Sequence, residues 1–183
     1  MVDRRKRSGF TLIELMTVMI VFSVLAAIAV PTITAWLPNY RLRATARDVA
    51  SSLQQARLRA ASNSLEYRVI VNTGSAPYSI QIDKGNLPSG STAWTCDGSS
   101  YIEFTTDVII NSVTPAATNG NFPVCRPDGS RPVANGYQII FLPNGSTAVG
   151  SEFKVKLTNA NGIRWEIKAS NTTGRVKVEQ GWT

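Results

Sequence analysis

A single carboxylate, Glu14, lies in a largely apolar stretch that runs from Phe10 to Val30 and is otherwise interrupted only by Thr11, Thr17 and Ser23. The stretch holds about 21 residues, the length with which a helix crosses the hydrocarbon core of a bilayer. A carboxylate inside a membrane span costs several kcal/mol and therefore indicates a function. The chemistry expected of Glu14 is the pairing of its charge with a positive group that reaches the same depth.

The N-terminus of the apolar stretch is where that positive group is expected. Cleavage after Gly9, at Ser8-Gly9-Phe10, would leave a free amine on Phe10 and make Glu14 the fifth residue of the shortened chain. Glu14 of one subunit could then pair with the Phe10 amine of a neighbour in an assembled filament. Such a pair offsets the desolvation of both charges and fixes the axial register of the two helices.

Two other interpretations of the N-terminus stay open at this point. An ordinary secretory signal has a shorter apolar core and is cut after it, whereas Ser8-Gly9 precedes the core here. An uncleaved membrane anchor is the second alternative. In either case the basic flank Arg4–Arg7 predicts that the N-terminus remains in the cytoplasm and that the rest of the chain lies across the membrane.

The composition argues against catalysis. The 183 residues include no histidine, which removes the commonest general base and most zinc sites. The sequence also has no phosphate loop and no paired carboxylates at a useful spacing, so no enzyme activity, metal or cofactor is expected. The net charge is +7, of which residues 1–9 supply +3, so the shortened chain is only mildly basic at +4.

The two cysteines, Cys96 and Cys125, are expected to form a disulfide in an exported domain. A closed loop of this length stabilises a fold by roughly 3.5 kcal/mol in the chain-entropy model. Two unpaired buried thiols are the alternative.

The segment Gly9–Leu15, which reads G-F-T-L-I-E-L and leads into a long apolar helix, closely resembles the signature of type IV pilins and type II secretion pseudopilins. The resemblance implies cleavage after Gly9 by a membrane-embedded prepilin peptidase, N-methylation of Phe10 and an assembly role for Glu14. It also implies a single-pass protein of the bacterial inner membrane with a periplasmic C-terminal domain, whose partners are other pilins or pseudopilins.

The elements that must position these residues begin with one long helix in two parts. Residues 10–36 are predicted to span the membrane after a leader of residues 1–9, and residues 37–63 to form an amphipathic half. In that half an apolar stripe recurs at steps of three and four residues: Leu42, Ala46, Val49, Leu53, Ala56 and Ala60. Pro31 and Pro38 predict a kink, local melting or the end of the membrane helix.

Residues 64–183 predict a β-rich domain, because the apolar period changes to two after Asn63. Residues 66–71 and 78–82 form a hairpin, and residues 84–135 are irregular with short strands at 101–104 and 108–113. The C-terminal third predicts an antiparallel meander of strands at 137–142, 153–157, 163–167 and 176–178, with a hairpin turn at Asn161-Gly162. The fold class is therefore α+β, a long N-terminal helix packed on an antiparallel sheet.

The C-terminal layout, F-x-P-x-G at residues 141–145 and Gly174-Arg175-Val176 near the end, resembles the FimT/GspH group of minor pilins and minor pseudopilins. Some FimT-like proteins bind DNA during natural transformation through a C-terminal Gly-Arg-x-Arg motif. Here Gly174, Arg175 and Lys177 match it, with lysine in place of the second arginine, which keeps the charge but loses the bidentate fork.

Four more basic residues on nearby predicted strands would extend this patch, and they are Lys154, Lys156, Arg164 and Lys168. Such a patch binds phosphates with little sequence preference and strong salt dependence. The alternative is a solvated outer face, because Glu152, Glu166 and Glu179 are interspersed.

Overall fold

The computed structural model describes residues 10–74, 77–96, 100–115, 118–130 and 132–181, except for the side chains of residues 31 and 32. The predicted leader, residues 1–9, and the cleavage residue Gly9 lie outside the described residues. The chain divides into two compact units, one that ends at Leu37 and one that begins at Pro38.

The first unit contains the start of α1, a helix that runs over Leu12–Asn63 for 52 residues. Leu12–Val30 is long and apolar enough to cross a membrane by length and composition. Its large apolar side chains are exposed, as expected of a surface that would face lipid. Helical hydrogen bonding continues through Pro31 and Pro38, so neither proline ends the helix.

The second half of α1 starts the folded domain. Arg41 forms an ion pair with Asp107, and Asn39 Oδ1 accepts hydrogen bonds from the side-chain amides of Asn159 at 2.8 Å and Asn161 at 3.1 Å. The helix ends at Asn63, where Ser64 adopts a positive φ of 54° and thereby turns the chain out of the helix.

Within the described residues, ten strands form two antiparallel sheets. The first sheet has the order β3-β2-β1-β7-β6, with β4 also paired to β2, and its strands are β1 (Tyr67–Asn72), β2 (Ser79–Gly85), β3 (Trp94–Cys96), β4 (Ile102–Glu103), β6 (Asn119–Pro123) and β7 (Val133–Phe141). The second has the order β10-β9-β8-β5, and its strands are β5 (Val108–Thr114), β8 (Phe153–Asn159), β9 (Arg164–Ala169) and β10 (Val176–Gln180).

One stripe of α1 packs against both sheets, as the periodicity predicts. All six predicted stripe residues are fully buried, and they share one cluster with Val69 and Ile82 of the first sheet and with Phe153 and Ile167 of the second. Burial of one helix stripe and one face of each sheet gives every element the single apolar surface that it must cover.

The predicted C-terminal meander is wrong in one respect. β7 includes residues 137–141 of the strand predicted at 137–142, but it pairs with β1 and β6 in the first sheet, whereas β8, β9 and β10 form the meander with β5. Residues after β7 form a turn in which Gly145 has a φ of +82°. Strand patterns alone do not distinguish one sheet from two, because each strand needs only one apolar face.

Packing of this stripe can be tested on a fragment that begins at Pro38, because all buried apolar residues among those described lie from Leu42 onward. Leu53→Ala should lower the free energy of unfolding in urea by about 2–5 kcal/mol, since the side chain is fully buried and leaves a cavity. Leu58→Ala on the same helix is the matched control. Leu58 is 68% exposed, so its loss should cost less than about 0.5 kcal/mol. Equal effects of the two variants would contradict this packing.

Candidate functional site

The start of α1 positions the candidate assembly residue. Thr11 caps the helix, because the Glu14 N–H donates to Thr11 Oγ1 at 3.3 Å and the Leu15 N–H to the Thr11 carbonyl at 3.2 Å. Thr11 is thus the N-cap of α1, and Glu14 lies in the first turn of the helix. Phe10 precedes the helix and is 83% exposed, so its backbone nitrogen and the Glu14 carboxylate lie at the same end of α1.

Two other polar side chains of the apolar segment form hydrogen bonds with the backbone of the same helix. Thr17 donates to the Ile13 carbonyl at 2.9 Å, and Ser23 donates to the Met19 carbonyl at 2.7 Å. Both hydroxyls therefore need no further partner in an apolar surrounding. Glu14 is the one charged residue from Leu12 to Val30, and its carboxylate cannot be satisfied in the same way.

The disulfide prediction is confirmed, and Cys96 is bonded to Cys125 with a Cα–Cα distance of 6.0 Å. A buried glutamine adds to this link, because Gln81 Oε1 accepts from the Cys125 N–H at 2.9 Å while Gln81 Nε2 donates to the Pro123 carbonyl at 2.9 Å. Together these bonds hold the segment after β6 against β2. Asp83 and the two sulfurs lie within 4.8 Å of one another, but the sulfurs are bonded to each other and Asp83 is paired with Arg68, so this trio is a disulfide beside an ion pair.

A buried ion pair lies beside the disulfide. Arg68 NH2 lies 2.8 Å from Asp83 Oδ2, and the Arg68 side chain lies 4.5 Å from the ring centre of Trp94 and 5.5 Å from that of Phe122. Sequence analysis missed this pair. The pair could have been predicted from the hairpin, because the pairing of β1 with β2 places Arg68 directly opposite Asp83.

The predicted basic residues of β8, β9 and β10 do share one face of the second sheet. Register places Lys154 opposite Lys168 and Lys168 opposite Lys177, so the three lysines form one row across the strands. Side chains two residues apart on a strand point to the same face. The adjacent row on that face consists of Lys156, Glu166 and Glu179.

Carboxylates neutralise most of these lysines. Lys168 Nζ lies 2.6 Å from Glu179 and 3.0 Å from Glu166, and Lys154 lies 3.1 Å from Glu152. The hydrogen bond from Lys168 lowers the pKa of Glu179, and the same pairing raises the pKa of Lys168. Lys156 approaches Glu166 at 4.0 Å. Three lysines of the predicted patch, Lys154, Lys156 and Lys168, therefore belong to a surface of mixed charge.

Arg175 and Lys177 are the exposed cations at the edge of this face. They line a depression of about 350 Å³ together with Glu152, Lys168, Ser170, Thr173 and Glu179. Arg164 is also exposed, but it lies four residues from Lys168 on β9, about 13 Å along the strand. The structure therefore brings Arg175, Lys177, Lys154 and Lys168 together and leaves Arg164 at the other end of the strand.

Close packing requires a glycine at position 174. Its φ is +60°, and a Cβ added there would collide with the Gly145 carbonyl and lie 3.1 Å from Arg57 Cδ. Arg57 Nε in turn donates to the Gly145 carbonyl at 3.3 Å. The F-x-P-x-G turn and the Gly174 turn, which sequence analysis treated separately, therefore meet against one arginine of α1.

A second groove of about 330 Å³ lies between α1 and the start of β10. It is lined by Gln54, Arg57, Leu58, Arg175 and Val176. Sequence analysis did not identify Arg57 as part of a site with Arg175. The helical position gave no signal of this contact, because the partner lies more than a hundred residues later in the chain.

A family model described as the prokaryotic N-terminal methylation motif matches residues 4–30. The fold is similar to that of the type IV minor pilin FimU from Pseudomonas aeruginosa, strain PAO1, with a TM-score of 0.50 and 13% identity over 77% of this chain and 90% of that one.

The fold is likewise similar to that of the minor pseudopilin EpsH from the type 2 secretion system of Vibrio cholerae, with a TM-score of 0.51 and 9% identity over 76% of this chain and 97% of that one. No curated protein matches the chain by sequence. At these identities the two structures establish the fold, and the methylation motif is established separately by the first 30 residues.

The packing of Gly174 can be tested against Gly162, which also has a positive φ, +73°, but has open space around its Cβ position. Gly162→Ala should cost about 1 kcal/mol in urea unfolding, the cost of the left-handed backbone alone. Gly174→Ala should cost at least about 1 kcal/mol more, because the added methyl displaces the Gly145 turn. Indistinguishable stabilities of the two variants would show that the close approach is not structurally important.

Proposed function

We propose that this chain, which has the methylation motif and the fold of type IV pilin-like proteins, is a minor pilin or minor pseudopilin. It would be a structural subunit of a type IV pilus or of a type II secretion pseudopilus, inserted in the inner membrane before assembly. The single observation that carries the proposal is the first turn of α1, where one carboxylate lies four residues after the exposed Phe10 at the start of an apolar span.

Processing follows from the same residues. The basic leader stays in the cytoplasm, a prepilin peptidase cuts after Gly9, and the new N-terminus on Phe10 is methylated. Residues 10–36 then span the membrane, residues 37–63 continue the helix, and residues 64–183 form the periplasmic domain. The Cys96–Cys125 disulfide supports this placement, because such bonds persist in oxidising compartments.

Glu14 is proposed to set the register of assembly. The Thr11 hydroxyl accepts from the Glu14 N–H and so holds the Glu14 backbone, and the carboxylate is proposed to reach the Phe10 amine of a neighbouring subunit. In an apolar surrounding an unpaired charge is strongly unfavourable, so a subunit shifted along the filament axis would lose the pairing. The role is structural and requires no cofactor or catalysis.

A second candidate function, capture of DNA for uptake, is favoured by one observation. Arg175 and Lys177 are exposed beside the 350 Å³ depression, whereas the sheet lysines behind them are partly buried and ion-paired. DNA phosphates would contact these two residues first. The site would be small and its salt dependence modest, because the slope of log affinity against log salt scales with the number of phosphates that the protein contacts.

The assembly role of Glu14 predicts a separation between processing and incorporation. Glu14→Gln keeps the size of the side chain and removes its charge, so cleavage after Gly9 should be normal while incorporation into filaments falls. A lost pairing of about 1.4 kcal/mol or more lowers incorporation at least tenfold. Immunoblots of membranes and of sheared filaments measure both steps. Thr17→Ala, which removes a hydroxyl that bonds only to the backbone of the same helix, is the control and should behave as the wild type does. Normal incorporation of Glu14→Gln would refute the assembly role of Glu14.

The DNA candidate predicts a specific change in salt dependence. The fragment from Pro38 to Thr183 should bind duplex DNA at low salt, and Arg175→Ala/Lys177→Ala should weaken binding and reduce the slope of log affinity against log salt by about 1.8. Lys154→Ala/Lys156→Ala, which removes two charges next to carboxylates, is the matched control and should reduce the slope less. Absence of binding by the wild type at low salt would leave the filament role as the function of the chain.

A further inference from the structure

β10 is the terminal strand of the second sheet and pairs on one side only, with β9. It runs over Val176–Gln180, and Lys177 to Gln180 are exposed. A strand edge presents a row of unpaired backbone groups and is a ready template for another strand. The described part of the chain places no strand on this side of β10.

The hydrogen bonds that flank β10 identify which of its backbone groups face outward. The Ser170 N–H donates to the Arg175 carbonyl at 3.0 Å, and the Gly181 N–H donates to the Arg164 carbonyl at 2.8 Å. Residues 175 and 181 therefore direct their backbone groups toward β9, as do Lys177 and Glu179 between them, because the direction alternates along an antiparallel ladder. The N–H and C=O groups of Val176, Val178 and Gln180 point to the free edge.

We infer that this edge pairs with β10 of a second copy of the chain, antiparallel and centred on Val178. In that register Val178 faces Val178 of the second copy, and Val176 faces Gln180 of the second copy. All of these residues have outward backbone groups, so each facing pair can exchange two hydrogen bonds. The interface is isologous, since the same five residues are used on both sides of a two-fold axis.

The charges of β10 favour this register over the registers shifted by two residues in either direction. Lys177 would face Glu179 of the second copy, and Glu179 would face Lys177, in the non-hydrogen-bonded positions where side chains approach most closely. A shift of the pairing by one step in either direction sets Lys177 against Lys177 or Glu179 against Glu179. The shift that faces Lys177 with Lys177 also sets Arg175 opposite Glu179, but only the Val178-centred register is free of a like-charge pair among these three shifts, so the sequence V-K-V-E-Q favours a partner with its own pattern.

The other face of β10 supplies apolar contact. Val176 and Val178 lie opposite Ala169 and Ile167 of β9, which belong to the buried core, so their side chains point to the α1 side of the sheet. Val178 is nevertheless 36% exposed, and Leu58 of the adjoining groove is 68% exposed. Gln180 of the second copy would lie beside Val176, next to this groove and to Gln54, and would reduce the exposure of these apolar side chains.

The proposal is tested by sedimentation equilibrium of the fragment from Pro38 to Thr183 over a range of concentrations. The wild type should shift from one chain toward two as concentration rises. Lys177→Glu alone sets two pairs of glutamates against each other, and Glu179→Lys alone sets two pairs of lysines, so each variant should associate at least tenfold more weakly. An equimolar mixture of these two variants should associate again, because each supplies the charges that the other lacks.

Two further variants separate edge pairing from a loss of folding. The double exchange Lys177→Glu/Glu179→Lys restores opposite charges in the same register and should associate as the wild type does. Val178→Pro removes an outward N–H without removing a bond to β9, so it should unfold in urea near the wild-type midpoint and remain monomeric. Lys154→Glu, which alters charge on the same sheet two strands inward, should leave association unchanged.

Three results would overturn the inference: a wild type that is monomeric at every concentration, a Val178→Pro variant that associates as the wild type does, or a mixture of the two single variants that stays monomeric. None of them bears on the roles of Glu14 or of DNA, because those experiments measure incorporation into filaments and salt-dependent binding. Association of the isolated fragment and assembly of the full chain are thus distinguishable.

Discussion

Burial of one stripe of α1 against two sheets is the interaction on which the rest of the domain depends. The first sheet contributes residues such as Val69 and Ile82, and the second contributes Phe153 and Ile167, to one cluster around Leu42 and Leu53. Neither sheet covers its apolar face against the other alone, so the helix is the common partner. The alanines at positions 46, 56 and 60 fit this role, because small side chains let strands approach the helix from two sides.

This arrangement decides what the outer faces can do. The outer face of the first sheet is covered by the segment that the disulfide and Gln81 hold, and a buried Arg68–Asp83 pair lies beneath that cover. Removal of either partner would leave an unpaired buried charge, which is far more costly than the pair itself. The outer face of the second sheet stays open and presents a row of three lysines beside a row of one lysine and two glutamates. Exposed charged side chains and an unpaired strand edge therefore lie together on the β10 side of the domain.

The sequence predicts local features well and pairings between distant segments poorly. The α1 stripe, the hairpin of β1 and β2 and the turn at Asn161-Gly162 follow from periods and turn residues that act within a few positions. The division into two sheets does not, because β7 satisfies its apolar pattern in either sheet. The same limit explains the site: residues 154, 168 and 177 were predicted to share a face, but which lysines meet carboxylates depends on register. The contact of Arg57 with Gly145 and Gly174 depends on three segments and has no local signal.

The turn at Gly174 links the structural and the proposed binding features of the C-terminus. Because Gly174 must fit between the Gly145 carbonyl and Arg57, the chain leaves the turn in a fixed direction, and Arg175 follows next to the groove at α1. The direction of the turn also fixes the phase of β10, so Lys177 and Glu179 face outward and the backbone of Val178 faces the free edge. A shift of one residue would exchange the two faces. The packing of one glycine against a helix thus determines both which cations are exposed and which strand edge is open.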